Sequence, residues 1–595
     1  MSSSRAVSRT QAVLIIVVIV VASTIGAFAF YNSSQPGPQT VSSTTQPMSA
    51  SHTIVVDESL EPQSVDPAFD YESTGWEVML NVYEPLVFYE NATILTHIVP
   101  LLATGWNSSA DGLTYTFTLR QGVKFSDGTP FTAYAVWFSI YRALLMNQGP
   151  SWIISQSLST SNVTAQMLNT MNFVNPNATE QLIMGKTSNS VQVVDPYTVT
   201  FHLTAPYAYF LATMTDPIAA PVSPTAVQAN GGVNASATNA WMTYNSVGTG
   251  PYTITEWKRG DHITLGRNPY YWGPTPFLDG ITIYYKSDSL SRILDLKSGV
   301  AQMAVIDPNL VSEVMNQTNI TVQNFGPSAI CEFVFMNTQA YPFNITSVRQ
   351  AVVHGINYNS VIQSAYAGFA TPYVGPIAAG MPHYNSTFQP YNYNPALSIQ
   401  LLTNAGFQLT LANGTTVNPK GTPFPTVKFY YQTASATWTK ASEIIQANLA
   451  DIGIPVQLQG VSHPTYESLL GLGPTNPSYP QMAIYELIPD YISPDDYGYP
   501  LANIANQGIA GDFANYNNTL VNQMTSQAKY TLDPAQQQRL WDQTTQILYN
   551  DAPYAWIGQL DGYIAYTNNL RGVVWNPIFG FSGGGTLYKY ITLSN

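Results

Sequence analysis

From His52 to the C-terminus, segments with the two-residue period of strands alternate with segments of helical period, and this alternation restricts the chain to an α/β fold. Residues 52–56 open as a strand. Over 113–119, Leu113, Tyr115, Phe117 and Leu119 alternate with Thr114, Thr116 and Thr118, the pattern of a half-buried strand. Turn chemistry at Ser126-Asp127-Gly128-Thr129-Pro130 leads into a helix predicted over 132–145. Strands are predicted over 191–203, 281–285 and 454–459. Helices are predicted over 346–367, with Val348, Val352 and Ile356 on one face, and over 397–404, 439–451 and 534–550. Gly406 and Gly453 supply the stops after the second and third of these helices. The chain shows no internal repeat and no heptad run.

Length and charge narrow the function classes. At about 150 residues per unit, 595 residues suggest about four units, and 45% hydrophobic content suffices for a large core. Only 9% of residues are charged, and 20 Lys+Arg against 34 Asp+Glu leave a net charge of −14. That balance lacks the basic footprint nucleic-acid binding requires. The surface must therefore be built from Asn, Ser, Thr, Gln and Tyr, a composition suited to the outside of a cell. It also offers little for acid to titrate. One cysteine, Cys331, excludes an intramolecular disulfide framework and a cysteine-cluster zinc site. No two of the seven histidines stand at metal-binding helical spacing, which excludes a zincin. No metal and no cofactor are expected.

Arg5 and Arg9 precede an apolar run over 12–30, which at ~1.5 Å per residue matches one hydrocarbon thickness. The basic flank should stay inside the cell. The run can be a signal peptide cut near Ala27-Phe28-Ala29, a pilin-type signal cut before the hydrophobic stretch at Arg9-Thr10-Gln11, or an uncut anchor; a buried core helix is the bland alternative, which the position and flanks disfavour. Residues 31–51 carry no charge and are dense in Ser, Thr, Gln and Pro, a stalk that cannot bury a core. A stalk has a use only if the preceding segment is retained, which favours a tether. Asn-x-Ser/Thr glycosylation acceptors begin at Asn32, Asn91, Asn107, Asn162, Asn177, Asn234, Asn316, Asn319, Asn344, Asn385, Asn413 and Asn517. A chain this rich in Asn, Ser and Thr also makes such triplets by chance.

Enzyme motifs fail on inspection. Gly185-Lys186-Thr187 has Glu180 where a phosphate loop needs glycine, and reads as a surface turn. Gly580-Phe581-Ser582-Gly583-Gly584 fits the nucleophile-elbow pattern, but no histidine follows it, and it reads as a glycine-rich turn. Asp495-Asp496 is a carboxylate pair of the kind a glycosidase uses, though adjacent acids in a Pro-rich segment read as a solvated turn.

Several blocks along the exported part carry a family likeness. They are Ser64-Val65-Asp66-Pro67, Tyr83-Glu84-Pro85-Leu86-Val87, Pro100 to Trp106, Asp111 to Phe117, Leu119 to Arg142, Gly248 to Tyr252, Arg267 to Trp272, Ser347 to Ile362 and Leu401 to Phe407. In this order they closely resemble the dipeptide- and oligopeptide-type (family 5) solute-binding proteins of ABC importers, from about His52 to the C-terminus. Two departures stand out. Gly355-Ile356-Asn357-Tyr358 replaces the family's Ala-Ile-Asp-Arg-like run, and Leu487 stands where a tryptophan is often seen before the acidic residue.

The resemblance implies a two-lobed periplasmic-binding-protein-like clamshell, with an extra subdomain inserted in the first lobe. The segments would be 1–30 signal or anchor, 31–51 stalk, 52–75 first lobe, 76–205 inserted subdomain, 206–328 first lobe, 329–560 second lobe and 561–595 first lobe. It implies reversible ligand capture without bond chemistry, delivery to an ABC permease with its ATPase, and a cleft between lobes. In peptide-binding relatives an acidic residue in a segment ending Asp-Tyr grips the peptide ammonium. Asp490 falls at that position, with Glu486 a second acid nearby, although Asp490 beside Pro489 also reads as a turn or cap residue. Tyr71, Trp76, Trp152, Trp438 and Trp556 are the candidate cleft walls, each equally readable as core packing. Phe125 and Trp137 read as core. Peptide is the expected ligand. The alternatives are an oligosaccharide stacked on the same aromatics, a surface-anchored hydrolase and a structural surface-layer protein.

Overall fold

In the computed structural model, which describes residues 52–160, 162–473, 476–506, 511–578 and 585–594, the strand-like segments condense onto an eleven-stranded sheet. Its order is Val456–Val461, Val427–Gln432, Met482–Leu487, Ile320–Met336, Tyr554–Thr567, Met303–Ala304, Thr53–Glu58, Gly280–Tyr285, His262–Arg267, Tyr252–Lys258, with Ala370–Thr371 paired to Tyr554–Thr567 beside this path. Thr53–Glu58 runs parallel to both neighbours, and so does Val427–Gln432. Parallel neighbours need long crossovers. The helix Ala436–Asp451 supplies one between Val427–Gln432 and Val456–Val461.

Two long antiparallel strands, 17 residues in Ile320–Met336 and 14 in Tyr554–Thr567, tie the two halves of the sheet together. Their pairing slips between Asn324 and Gly326 and again between Pro327 and Cys331. Gly326 has φ +84°, a left-handed backbone that glycine adopts without a Cβ penalty. Bulges of this kind bend a strand pair. The result is two lobes joined by crossing strands, the clamshell the sequence implies. The boundaries expected at 328/329 and 560/561 fall within these strands, beside the irregularity.

A separate antiparallel sheet, in the order Ala103–Ser108, Thr114–Leu119, Thr198–His202, Val191–Asp195, lies within the 76–205 segment. Tyr115, Phe117 and Leu119 are buried, as their alternation predicts. The helix Ala133–Met146 packs beside it, with Phe125 and Trp137 fully buried. Arg142 on that helix forms a buried ion pair with Asp66.

Most predicted elements are present within a few residues, with two corrections. Residues 191–203 form a hairpin rather than one strand, because Asp195 accepts a bond from the Tyr197 N–H (2.7 Å) and turns the chain. Residues 346–367 form two helices, Thr346–Gly355 and Tyr358–Ala365. The break is at Asn357, whose side chain accepts from Ser360 N (3.0 Å) and starts the second helix. The Gly185-Lys186-Thr187 run follows the helix Ala178–Met184, with Gly185 at its C-cap. The segments 1–30 and 31–51, Asn32 and the 580–584 motif lie outside the described residues. No helix of the described residues is long and apolar enough to cross a membrane.

Candidate functional site

The strand Met482–Leu487 delivers its C-terminal end to a cavity of about 780 Å³, and the chain then turns through Ile488–Tyr491 into the helix Pro494–Ala502. Tyr71, Trp76, Trp152, Trp438, Glu486 and Asp490 all line this cavity. Six of the seven ligand-contact candidates therefore come together from segments up to 419 residues apart. Trp556 does not join them. Its strand position points the ring into the core, where it is 2% exposed against Phe333, Tyr373 and Tyr554.

Asp490 is 8% exposed at the base of the cavity. The Tyr71 hydroxyl donates to its Oδ2 (2.9 Å), and the Trp152 indole N–H donates to that hydroxyl (2.9 Å). Among the described residues no other donor reaches its carboxylate. Burial pushes its pKa up to about 7, and the Tyr71 bond draws it back only in part. Its place is not that of a cap: Ser493 occupies the position before the helix. The side chain faces the cavity instead.

Asp495 and Asp496 correct the reading of this pair as a solvated turn. They are 3% and 8% exposed and occupy the first turn of Pro494–Ala502, where the helix dipole favours carboxylates. Asp495 accepts from the Tyr207 hydroxyl (2.7 Å) and from Ser493. Asp496 accepts from the Asp490 N–H (3.0 Å), which fixes the loop that carries Asp490. Lys529 faces the pair, and burial lowers its pKa against their attraction. Tyr207 also meets the Tyr491 hydroxyl (3.0 Å), and Gln156 donates to the latter (3.1 Å).

The lining also includes Glu486, Glu467, His463, Gln432 and the rings of Trp438, Tyr485 and Phe513. Trp438 is held by the helix Ala436–Asp451, whose first turn Ser435 caps (3.0 Å to Trp438 N). Sequence reasoning missed Glu467, Tyr485, Tyr491, Gln156 and Lys529. Tyr491 ends the Asp-Tyr segment that marks Asp490; the other four belong to no local motif, and only their convergence marks them. Among the described residues no group of three or more His, Cys, Asp or Glu side chains is placed to hold a metal ion. A large concave site with aromatic walls and a few buried acids suits a small organic ligand.

The model for bacterial extracellular solute-binding proteins, family 5 Middle, matches residues 97–508. The probable D,D-dipeptide-binding periplasmic protein DdpA of Escherichia coli (strain K12) is 25% identical over 528 residues, covering 88% of this chain and 92% of that protein. The glutathione-binding protein GsiB of Shigella flexneri is 26% identical over 531 residues, covering 87% and 91%. The solved structure of the ABC transporter-associated periplasmic binding protein DppA from Helicobacter pylori in complex with peptide STSA superposes with a TM-score of 0.69 at 25% identity, covering 91% of this chain and 98% of that one.

Proposed function

This chain belongs to family 5 of the bacterial extracellular solute-binding proteins, and from that premise we propose that it captures peptides outside the cytoplasm and hands them to an ABC permease. The observation that carries the reading is Asp490, a nine-tenths buried carboxylate at the base of a ligand-sized cavity with Tyr71 its one donor among the described residues. A desolvated carboxylate is costly until a cation meets it, and a peptide's α-ammonium is such a cation. Relatives named for a D,D-dipeptide and for glutathione support the peptide class. Capture works by closure of the lobes about the crossing strands, with no bond made or broken.

Two further parts of the proposal concern placement. The apolar run 12–30 and the uncharged stalk 31–51 tether the protein on the outer face of the membrane, holding it near its permease at high effective concentration. The acceptors Asn91, Asn107, Asn162, Asn177, Asn234, Asn316, Asn319, Asn344, Asn413 and Asn517 are exposed and open to glycosylation. Asn385 is the poorest candidate, since its side-chain nitrogen donates to Asp542 (3.0 Å).

The test is a calorimetric double-mutant cycle, with a peptide and its N-acetylated form against wild type and Asp490→Asn. Acetylation is expected to weaken binding to the wild type and matter little to the variant. Additive losses would remove Asp490 from the ammonium site. Binding of neutral oligosaccharides and of no peptide would replace the peptide reading.

A further inference from the structure

The cavity holds more acidic groups than a peptide's single ammonium can answer. Glu467, Glu486, Asp490, Asp495 and Asp496 line it, and its lining includes no arginine. Its basic side chains are Lys529 and His463. Lys529 is engaged by Asp495 and Asp496 and stands 5.0 Å from the Tyr499 ring. His463 is largely exposed at the rim, with Nδ1 2.9 Å from Gln432 Oε1 and 3.8 Å from Glu467 Oε1. With Asp490 assigned to the ammonium, Glu486 is left over.

Glu486 has an unusual neighbour. Met482–Leu487 pairs antiparallel with Ile320–Met336, and the register sets Glu486 directly opposite Glu332. Residues opposed in this way project to the same face, and like charges there destabilise a sheet. Glu332 is buried and receives the Tyr366 hydroxyl. Glu486 receives no hydrogen bond among the described residues and opens to the cavity. Burial and the neighbouring Glu332 and Glu467 carboxylates push its pKa up to about 8. The rings of Trp438, Tyr485 and Phe513 line the same cavity, with centroids 6.2 Å apart for Trp438 and Tyr485 and 4.6 Å for Tyr485 and Phe513. Such rings receive both the aliphatic stem and the charged head of a basic side chain.

We infer that the cavity selects peptides carrying a second positive charge, a lysine or arginine side chain, and that Glu486 is the residue that receives it. This rests on the reading of Asp490 as the ammonium site. A cation held at Glu486 favours its ionised form against burial and the opposed Glu332, which otherwise keep it protonated. An acidic peptide finds no arginine in the lining and several carboxyl groups already there, which turns it away.

The experiment compares Ala-Lys-Ala, its isostere Ala-norleucine-Ala and Ala-Glu-Ala by calorimetry, on wild type and on Glu486→Gln. The wild type is expected to prefer the lysine peptide over the norleucine peptide by roughly tenfold or more. Glu486→Gln is expected to erase most of that preference, weakening the lysine peptide far more than the norleucine peptide. Equal affinities for the lysine and norleucine peptides on the wild type, a comparison needing no variant, would overturn the inference. So would a Glu486→Gln loss equal for both. If acetylating the amino terminus still matters in these cases, the peptide reading survives and the inference alone fails. If no peptide binds, both fall together.

Discussion

Asp490 stands near neutrality in the free protein, and that makes capture sensitive to pH. Burial raises its pKa to about 7. A ligand ammonium favours the ionised carboxylate, so binding lowers that pKa and releases a proton wherever the free carboxyl was still protonated. Peptide affinity is therefore expected to fall as pH drops below about 7, by up to tenfold per unit. Calorimetry at pH 6 in two buffers of different ionisation heat should show net proton release, absent in Asp490→Asn. Loss of one partner of a buried charge pair typically costs ~2–5 kcal/mol. At ~1.4 kcal/mol per decade, Asp490→Ala should weaken peptide binding by roughly 30-fold or more. The same values at pH 6 and 8 would separate Asp490 from the ligand.

Two elements show what the family blocks do physically. Asp66, in the first block, and Arg142, at the end of the block Leu119 to Arg142, form one buried ion pair, with side chains 0% and 1% exposed. It pins the helix Ala133–Met146 of the inserted segment to the chain just after the first strand. Breaking a buried pair typically costs ~3–5 kcal/mol because one charge stays behind, whereas replacing both members by apolar residues costs far less. Denaturant unfolding should show Arg142→Met strongly destabilised and Arg142→Met with Asp66→Leu partly recovered. The departure at Asn357 is explained by its cap on Tyr358–Ala365, a task Asp performs equally well. Asn357→Ala should lower stability by ~1 kcal/mol and Asn357→Asp should leave it near wild type.

At the scale of the whole molecule, the few charges are disposed so that acid favours the fold. Burial raises Asp57 to about 6, Glu77, Glu332 and Asp490 to about 7, and Asp70, Glu486 and Asp512 to about 8. A carboxyl whose pKa is higher folded than unfolded binds its proton more tightly in the folded state. Its contribution is fully present below the unfolded value, about 4, and is lost as pH rises through the folded value. The lowered values of exposed Asp111, Asp261 and Asp288 act the other way, but only below that window. The melting temperature is thus expected to be higher at pH 5 than at pH 8; a rise toward pH 8 would show these acids to be solvated. The two-lobed build makes a second demand. Solution scattering should give a smaller radius of gyration with saturating peptide than without, and an unchanged curve would exclude closure.

The alternation of periods, the glycine stops and the ordered family blocks were legible in the sequence by itself, because each depends on neighbours a few residues away. Asp490 was singled out by what the family resemblance implied for a segment ending Asp-Tyr. Side-chain surroundings were not legible, because they are set by distant partners. Asp495-Asp496 reads locally as a turn, and it is Tyr207, 288 residues away from Asp495, that makes it part of a buried site. Trp556 and Trp438 are both buried aromatics, yet one strand aims its ring into the core while a helix presents the other to the cavity. Glu486 acquires its meaning only from register, since pairing Met482–Leu487 with Ile320–Met336 brings Glu332 opposite it, and a shift of one residue would send it to the other face.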